Sequence, residues 1–307
     1  LMRVDHALDF KNKEIHDAAK IGLDAVLQAQ FPNGAFPQGW IGPASKQPIL
    51  KASYPDYDWK TEKKIKNYWD MYTLNDNVAG TVTAMLRDAH RIYKDDKYKT
   101  AMAKLGDFLL FAQMPEPQPA WAQQYNYEMK PIWARKFEPA AITGGESQDV
   151  MEALIAIAEY TGDDRYLKPV GPALAYFRKS LLSDGKLARY YELKTNRPLY
   201  LKRMGNVYTL TYDDSALPSH YGWKIASRLD AIEAALKKNR PQPATAKSLE
   251  PTVREILKSL DAESRWITTH DGRPLVGQPP FKMGQRYIGS ETFSRNVELL
   301  SAFVGTR

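Results

Sequence analysis

Val26-Leu27-Gln28-Ala29-Gln30-Phe31-Pro32 and Leu109-Leu110-Phe111-Ala112-Gln113-Met114-Pro115 repeat one pattern: apolar residues, an Ala-Gln pair, a large apolar residue and a proline. Proline disfavours the helical conformation in the residue before it, so both stretches read as helix ends that release a loop. A second pair is Tyr93-Lys94-Asp95-Asp96-Lys97-Tyr98 and Tyr160-Thr161-Gly162-Asp163-Asp164-Arg165-Tyr166. In each of these one helix stops and an aspartate caps the next. Repeated helix hairpins bury their apolar faces against their neighbours and either stack as a solenoid or close into a ring. The variable, aromatic-rich loops after the second helix of each hairpin favour a closed α/α toroid, whose loops gather at one rim.

Outward from these repeats, apolar residues recur at helical spacing over 14–30, 76–93, 99–113, 148–160, 167–182, 221–238, 246–260 and 291–304. Long loops rich in Pro, Gly and aromatics separate them at 31–72, 115–145 and 184–219. Short strands are expected in 187–193 and 198–210, where β-branched and aromatic residues collect. At 307 residues the chain is one large domain or two small ones, and 1–307 is expected to form a single domain and a monomer. Loops 33–40, 120–147 and 185–203 then meet, and a site is expected where they do, because function concentrates on loops held by a rigid scaffold.

With 43% hydrophobic residues the chain can bury a sizeable core, and no stretch reaches the roughly 20 apolar residues of a membrane span. The absence of cysteine excludes disulfides and thiolate chemistry and suits a secreted or periplasmic protein. No signal peptide stands at the start, and beginning at Leu1-Met2 leaves room for a removed leader or an upstream domain. A net charge of +7 favours an anionic partner, although Lys60, Lys63, Lys64 and Lys66 also read as an ordinary solvated run. Nucleic acid is not expected, since zinc-ligand spacing, aromatic RNA-binding motifs and dense arginine tracts are missing. Seven Trp, eighteen Tyr and ten Phe, many in polar loops, suit a carbohydrate groove, because aromatic faces stack on sugar rings. They equally suit loops pinned onto a helical body.

The five histidines form no zinc-type pair, and neither a Gly-x-Ser-x-Gly elbow nor a phosphate-cradling loop is present. Gly144-Gly145-Glu146-Ser147 reads as a helix start with Ser147 near the cap. Asn75 and Asp76, within Tyr72-Thr73-Leu74-Asn75-Asp76-Asn77, are either an N-cap cluster or oxygen ligands for calcium. Trp121-Ala122-Gln123-Gln124-Tyr125-Asn126 and Pro131-Ile132-Trp133-Ala134-Arg135-Lys136-Phe137-Glu138-Pro139 concentrate donors and aromatics in one loop. Arg189 and Tyr191 share a side if 185–193 is a strand. The plain alternative for each arginine is an ion pair with Glu138 or Glu192.

Taken in order, these runs resemble the signature of the family 10 pectate lyases. The matching stretches are Ala29-Gln30-Phe31-Pro32-Asn33-Gly34-Ala35-Phe36-Pro37-Gln38, Thr73-Leu74-Asn75-Asp76, Trp121-Ala122-Gln123-Gln124, and Trp133-Ala134-Arg135-Lys136-Phe137-Glu138-Pro139 with Gly145-Glu146-Ser147. Ala188-Arg189-Tyr190-Tyr191-Glu192-Leu193 with Thr195-Asn196-Arg197-Pro198 completes the set, which spans about residues 20–225. The resemblance implies an all-α (α/α)3 toroid with long loops and a few short strands, and calcium-assisted anti β-elimination on polygalacturonate with an arginine base. By motif position it implies Arg135 as the base and Arg189 as a second arginine on the substrate carboxylate. Asp76 with Asn75 corresponds to the calcium site. Gln38, Trp121, Gln123, Gln124, Tyr125, Glu138, Tyr191 and Arg197 correspond to substrate contacts. Alkaline pH should help, because arginine is normally protonated.

Three departures from the family pattern stand out. Its Thr-x-Asp-Asn-x-Ala-Thr-like segment is expected on a further helix upstream of this chain. Its Trp-Cys-Ala-Gln-His-Asp run becomes Trp121 to Asn126, with amide in place of carboxylate. Its late arginine-rich run reads Pro218-Ser219-His220-Tyr221-Gly222-Trp223. The competing classes are a catalytically silent pectin-binding protein and a toroid hydrolase of unsaturated uronyl oligosaccharides, the latter with Asp76 and Asp149 as acid and base.

Overall fold

The computed structural model describes residues 1–61, 65–219, 221–238, 245–272 and 281–306. Lys63, Lys64 and His220, which figure in the sequence reading, lie outside the described residues. The chain is largely helical with a few short strands, and its contacts form two compact units. The first unit holds α1 (Met2–Ala7), α2 (Lys13–Ala29), α3 (Val78–Tyr93), α4 (Asp96–Ala112), α5 (Gly144–Thr161), α6 (Val170–Lys179) and α7 (Leu229–Lys237). The second holds α8 (Ala246–Lys258) packed on α9 (Ser290–Val304), with Thr268–Thr269 paired to Arg286–Tyr287.

Helix boundaries follow the repeats. The Asp95 side chain accepts from Lys97 N at the start of α4, and Asp163 accepts from Arg165 N in the turn before α6. The preceding helices end on left-handed residues, Lys94 at φ 56° and Gly162 at φ 78°. The Ala-Gln pair has a physical task of its own. Gln30 Nε2 donates to Gly34 O (3.1 Å) and to Ala101 O of α4 (2.8 Å). Gln113 Nε2 donates to Pro119 O (2.9 Å) and to Pro169 O just before α6 (3.0 Å). Each glutamine thus closes its own loop, through Gly34 O or Pro119 O, and ties α2 to α4, or α4 to α6. Gly34 sits where the first loop crosses α4. A Cβ there would come 1.8 Å from Lys104 O, and its φ of 93° suits glycine alone.

The core centres on α5, which buries Val150, Met151, Leu154, Ile157 and Ala158 and packs against α3, α4, α6 and α7. It begins at Gly144 rather than at 148, because Ser147 does not cap it. The Ser147 hydroxyl instead accepts from Trp121 N and donates to Trp121 O, both at 3.1 Å, fastening the helix start to the 120–126 loop. The expected helix over 221–238 exists only from Leu229, since Lys224–Ile225 pairs with Leu187–Ala188 as a short ladder. Helix α1 has no counterpart in the periodicity reading.

The three loops do come together. Pro37 bridges Tyr72, Tyr72–Thr73 pairs with Gln124–Tyr125, and Ala122 bridges Ile142. Ala141–Thr143 then heads an antiparallel sheet continued by Tyr190–Glu192, Pro198–Met204 and Val207–Thr211. Both expected strand regions are present.

Candidate active site

Asn75, Asp76 and Asn77 begin the site and show how local chemistry divides the labour. Asn77 Oδ1 accepts from Gly80 N at 3.0 Å and is the cap of α3. Gly80 is needed for this, since a Cβ would lie 2.4 Å from that oxygen. With the capping done by Asn77, Asp76 is released for another task. Asp76 (φ 53°) and Asn77 (φ 56°) are both left-handed, a conformation that costs non-glycine residues about 1 kcal/mol or more and collects at functional sites. The exposed Asp76 accepts from Asn75 Nδ2 at 2.9 Å. Asp76-Asn77-Val78-Ala79, with Thr73 before and Thr81 after, also carries the Asp-Asn-x-Ala core of the segment expected upstream. That pattern is therefore inside the chain, at the start of α3.

From Asp76 a buried chain of side chains runs inward. Gln123 Nε2 donates to Asn75 Oδ1 (2.9 Å) and to Glu138 Oε1 (2.6 Å), and the Arg135 guanidinium donates to the same Glu138 oxygen. The turn is pinned by Arg135 N donating to Glu138 Oε2 (3.2 Å) and Glu138 N donating to Arg135 O (3.0 Å). Glu138 is 2% exposed and the Arg135 side chain 35%, so the cation stands at the mouth over a sunken carboxylate. Tyr190 joins the network from the sheet, its hydroxyl donating to Gln123 Oε1 at 3.1 Å.

Arg189 arrives from a break in the strand pattern. It lies between Leu187–Ala188, which pairs with Lys224–Ile225, and Tyr190–Glu192, which pairs with Ala141–Thr143. Arg189 N donates to Trp223 O (2.8 Å), and Gly144 N donates to Arg189 O (3.0 Å). Gly144 allows this approach, because a Cβ there would sit 2.4 Å from Ala188 O. The Arg189 guanidinium is 3.6 Å from the Glu146 carboxylate on the first turn of α5. Burial pushes the Glu146 carboxyl above its ordinary value, and Arg189 only partly opposes this. The ion-pair alternative is thus met for Arg135 by Glu138, while Arg189 pairs with Glu146 rather than Glu192.

The other expected residues separate. Trp121 is fully buried and donates from Nε1 to Leu109 O (2.8 Å). The Tyr125 hydroxyl donates to Ala112 O and accepts from Ala122 N, both at 2.7 Å. Tyr191 is turned to the far side, donating to Ser180 O (2.7 Å) and accepting from Ala188 N (2.9 Å). Burial pushes both phenols up, as buried hydroxyls in the core. Gln124 Nε2 donates to Tyr68 O (2.7 Å), and Asn126 Oδ1 accepts from Glu128 N and Lys130 N within its own loop. The Gln38 side-chain oxygen is buried without a hydrogen-bond partner, next to the Pro37–Tyr72 bridge. Arg197 stacks on Tyr212 at 3.5 Å, in a cluster where the buried Glu192 accepts from Lys60, Thr195 and Tyr212. Tyr190 and Glu146 are the residues the motif reading passed over. Strict alternation from Arg189 points to Tyr191, and only the interruption at 189 brings Tyr190 to the network.

The family model for pectic acid lyase matches residues 8–187, more than half of the chain. The chain belongs to the pectic acid lyase family. As a family member it is a polysaccharide lyase. No curated protein matches it. Among solved structures, an aspartate-to-alanine mutant of the family 10 polysaccharide lyase from Cellvibrio cellulosa, in complex with trigalaturonic acid, shares the fold of this lyase. The match has a TM-score of 0.53 at 19% identity and covers 73% of this chain and 72% of that one. The family 10 polysaccharide lyase from the same organism aligns at a TM-score of 0.49 and 21% identity, over 67% of each chain.

The fit of this site to calcium is partial. Calcium takes about six to eight oxygens, and among the described residues no three His, Asp or Glu side chains converge to hold a metal. Asp76 offers an exposed carboxylate, while Asn75 Oδ1 already accepts from Gln123. A cation at Asp76 would have to complete its shell with oxygens from outside the chain.

Proposed function

We propose that this lyase cleaves polygalacturonate by β-elimination at the Asp76–Arg135–Arg189 rim of an (α/α)3 toroid built from the first unit. The observation that carries the reading is the continuous network from Asp76 through Asn75, Gln123 and Glu138 to Arg135. Such a network holds a carboxylate and a guanidinium at fixed positions before any substrate arrives. Calcium bound at Asp76 together with the uronate carboxylate would draw charge from that carboxylate and acidify the neighbouring C5–H.

The residues of the chain supply the rest. One guanidinium takes the bidentate carboxylate-binding task, for which its planar fork is suited. The other accepts the C5 proton while the C4–O4 bond breaks and a C4=C5 double bond forms, the leaving oxygen taking a proton from water or a nearby donor. Motif position gives Arg135 the base role, but the geometry favours the reverse. The Arg135 guanidinium is tied by a direct hydrogen bond to the sunken Glu138 carboxylate, a contact that an approaching proton acceptor would have to break. Arg189 faces Glu146 at a longer 3.6 Å, beyond hydrogen-bond range. Arg189 is therefore the proposed base and Arg135 the proposed carboxylate binder. The net charge of +7 supports a polyanionic substrate, and a polymer of this kind implies work outside the cytoplasm.

The test is ultraviolet absorbance during incubation with polygalacturonate at mildly alkaline pH, with calcium and then with chelator. An absorbance rise that requires calcium supports the reading. Binding without any rise would make the protein a silent pectin binder, and loss of absorbance on unsaturated oligouronides would make it a hydrolase.

A further inference from the structure

Glu146 has no assigned task in the reaction, yet it is the most constrained carboxylate beside the candidate site. Its side chain is 5% exposed, on the first turn of α5, and faces the guanidinium of Arg189, itself 17% exposed, at 3.6 Å. Both ends of the pair are fixed by backbone. The start of α5 is fastened by the Ser147–Trp121 hydrogen bonds, and Arg189 by Gly144 N on one side and Trp223 O on the other. The Gly144–Ala188 approach leaves no room for α5 to slide relative to Arg189. A buried carboxylate is expensive unless it is paired, so a glutamate kept in this position needs a partner that repays the desolvation.

We propose that Glu146 is the positioning residue of Arg189, holding its guanidinium from the protein side and setting the pH at which that guanidinium can act as a base. The inference rests on the reading of Arg189 as the base. Among the described residues, the charged groups beside the pair are Asp149 and Glu152 on α5 and Arg228 before α7. Arg228 pairs with Asp149 and with Glu152 and offsets one of their two negative charges. Glu146 stands between the remaining negative charge and the Arg189 guanidinium. A carboxylate at this range stabilises the protonated guanidinium, and removing its charge shifts the balance toward the neutral form.

The experiment is the pH profile of kcat and KM on polygalacturonate for the wild type, Glu146→Gln and Glu146→Asp, with Tm measured for each. Glu146→Gln keeps the shape but removes the charge. The expected result is an alkaline rise in kcat displaced to lower pH by about one unit, with KM within about twofold. Glu146→Asp, which keeps the charge, should restore the wild-type position of the rise. An unmoved profile in Glu146→Gln would reduce Glu146 to a packing role and overturn the inference, as would a rise in KM alone. A second readout needs no turnover: the guanidinium 15N signals of Arg189, followed by NMR in wild type and Glu146→Gln. Different titration or exchange in the variant supports the coupling, and identical behaviour overturns it. If the wild type itself shows no absorbance change, the lyase reading fails, and the NMR comparison still decides whether Glu146 controls Arg189.

Discussion

Arg135 and Arg189 differ in how the protein holds them, and that difference is measurable. Arg189→Ala should lower kcat by about 10²- to 10⁴-fold, the usual contribution of a positioned base, with KM little changed. Arg135→Lys should mainly raise KM, because an ammonium cannot reproduce the forked contact to a carboxylate. The lysine avoids stripping the sunken Glu138 of its cation, as alanine would. If Arg135→Lys loses kcat and Arg189→Ala does not, the roles belong as motif position first assigned them. For Asp76 the rival roles are already apart, since Asn77 caps α3. Asp76→Ala should weaken the calcium dependence of turnover while leaving Tm within a few degrees. An unchanged calcium titration would remove Asp76 from the metal site.

The elements are joined by repeated polar staples as well as by their apolar faces. Gln113→Ala strands the carbonyl of Pro119 and removes the tie to Pro169 O, which keeps its bond from Ala173 N, and should cost about 1–3 kcal/mol, read as a lower urea midpoint. A loss below a few tenths of that would mean water replaces the amide. Helix α5 carries a pH signature through Glu146, whose carboxyl burial pushes above the ordinary 4.5. The folded state then binds this proton more tightly than the unfolded chain, and stability falls as pH rises through the raised value. Glu146→Gln should flatten that fall, as seen in urea midpoints measured from mildly acidic to neutral pH. The starts and stops of α2, α3, α4 and α6 could be read within a few residues because caps and periodicity are local. The start of α5 and the stretch before α7 could not. Ser147 is diverted to Trp121, and 224–225 is claimed by the 187–188 strand, both partners distant in sequence.

At the scale of the whole molecule, the net charge of +7 should speed capture of a polyanion. KM on polygalacturonate should therefore rise with ionic strength while kcat holds, since salt screens long-range attraction more than contacts inside a site. A KM insensitive to salt would assign recognition to the local groups alone. All candidate site residues lie in the first unit. By itself the sequence determined the helical class, the hairpin repeats, the meeting of the three loops and the family, because capping, periodicity and ordered motifs are written in neighbouring residues. Only the tertiary structure decided that Asn77 takes the cap and leaves Asp76, and that Arg135 rests on Glu138 while Arg189 faces Glu146. It alone turned Tyr190 rather than Tyr191 to the network. Each of these outcomes depends on which distant backbone a side chain meets, and a break in strand alternation at one residue is enough to reverse it.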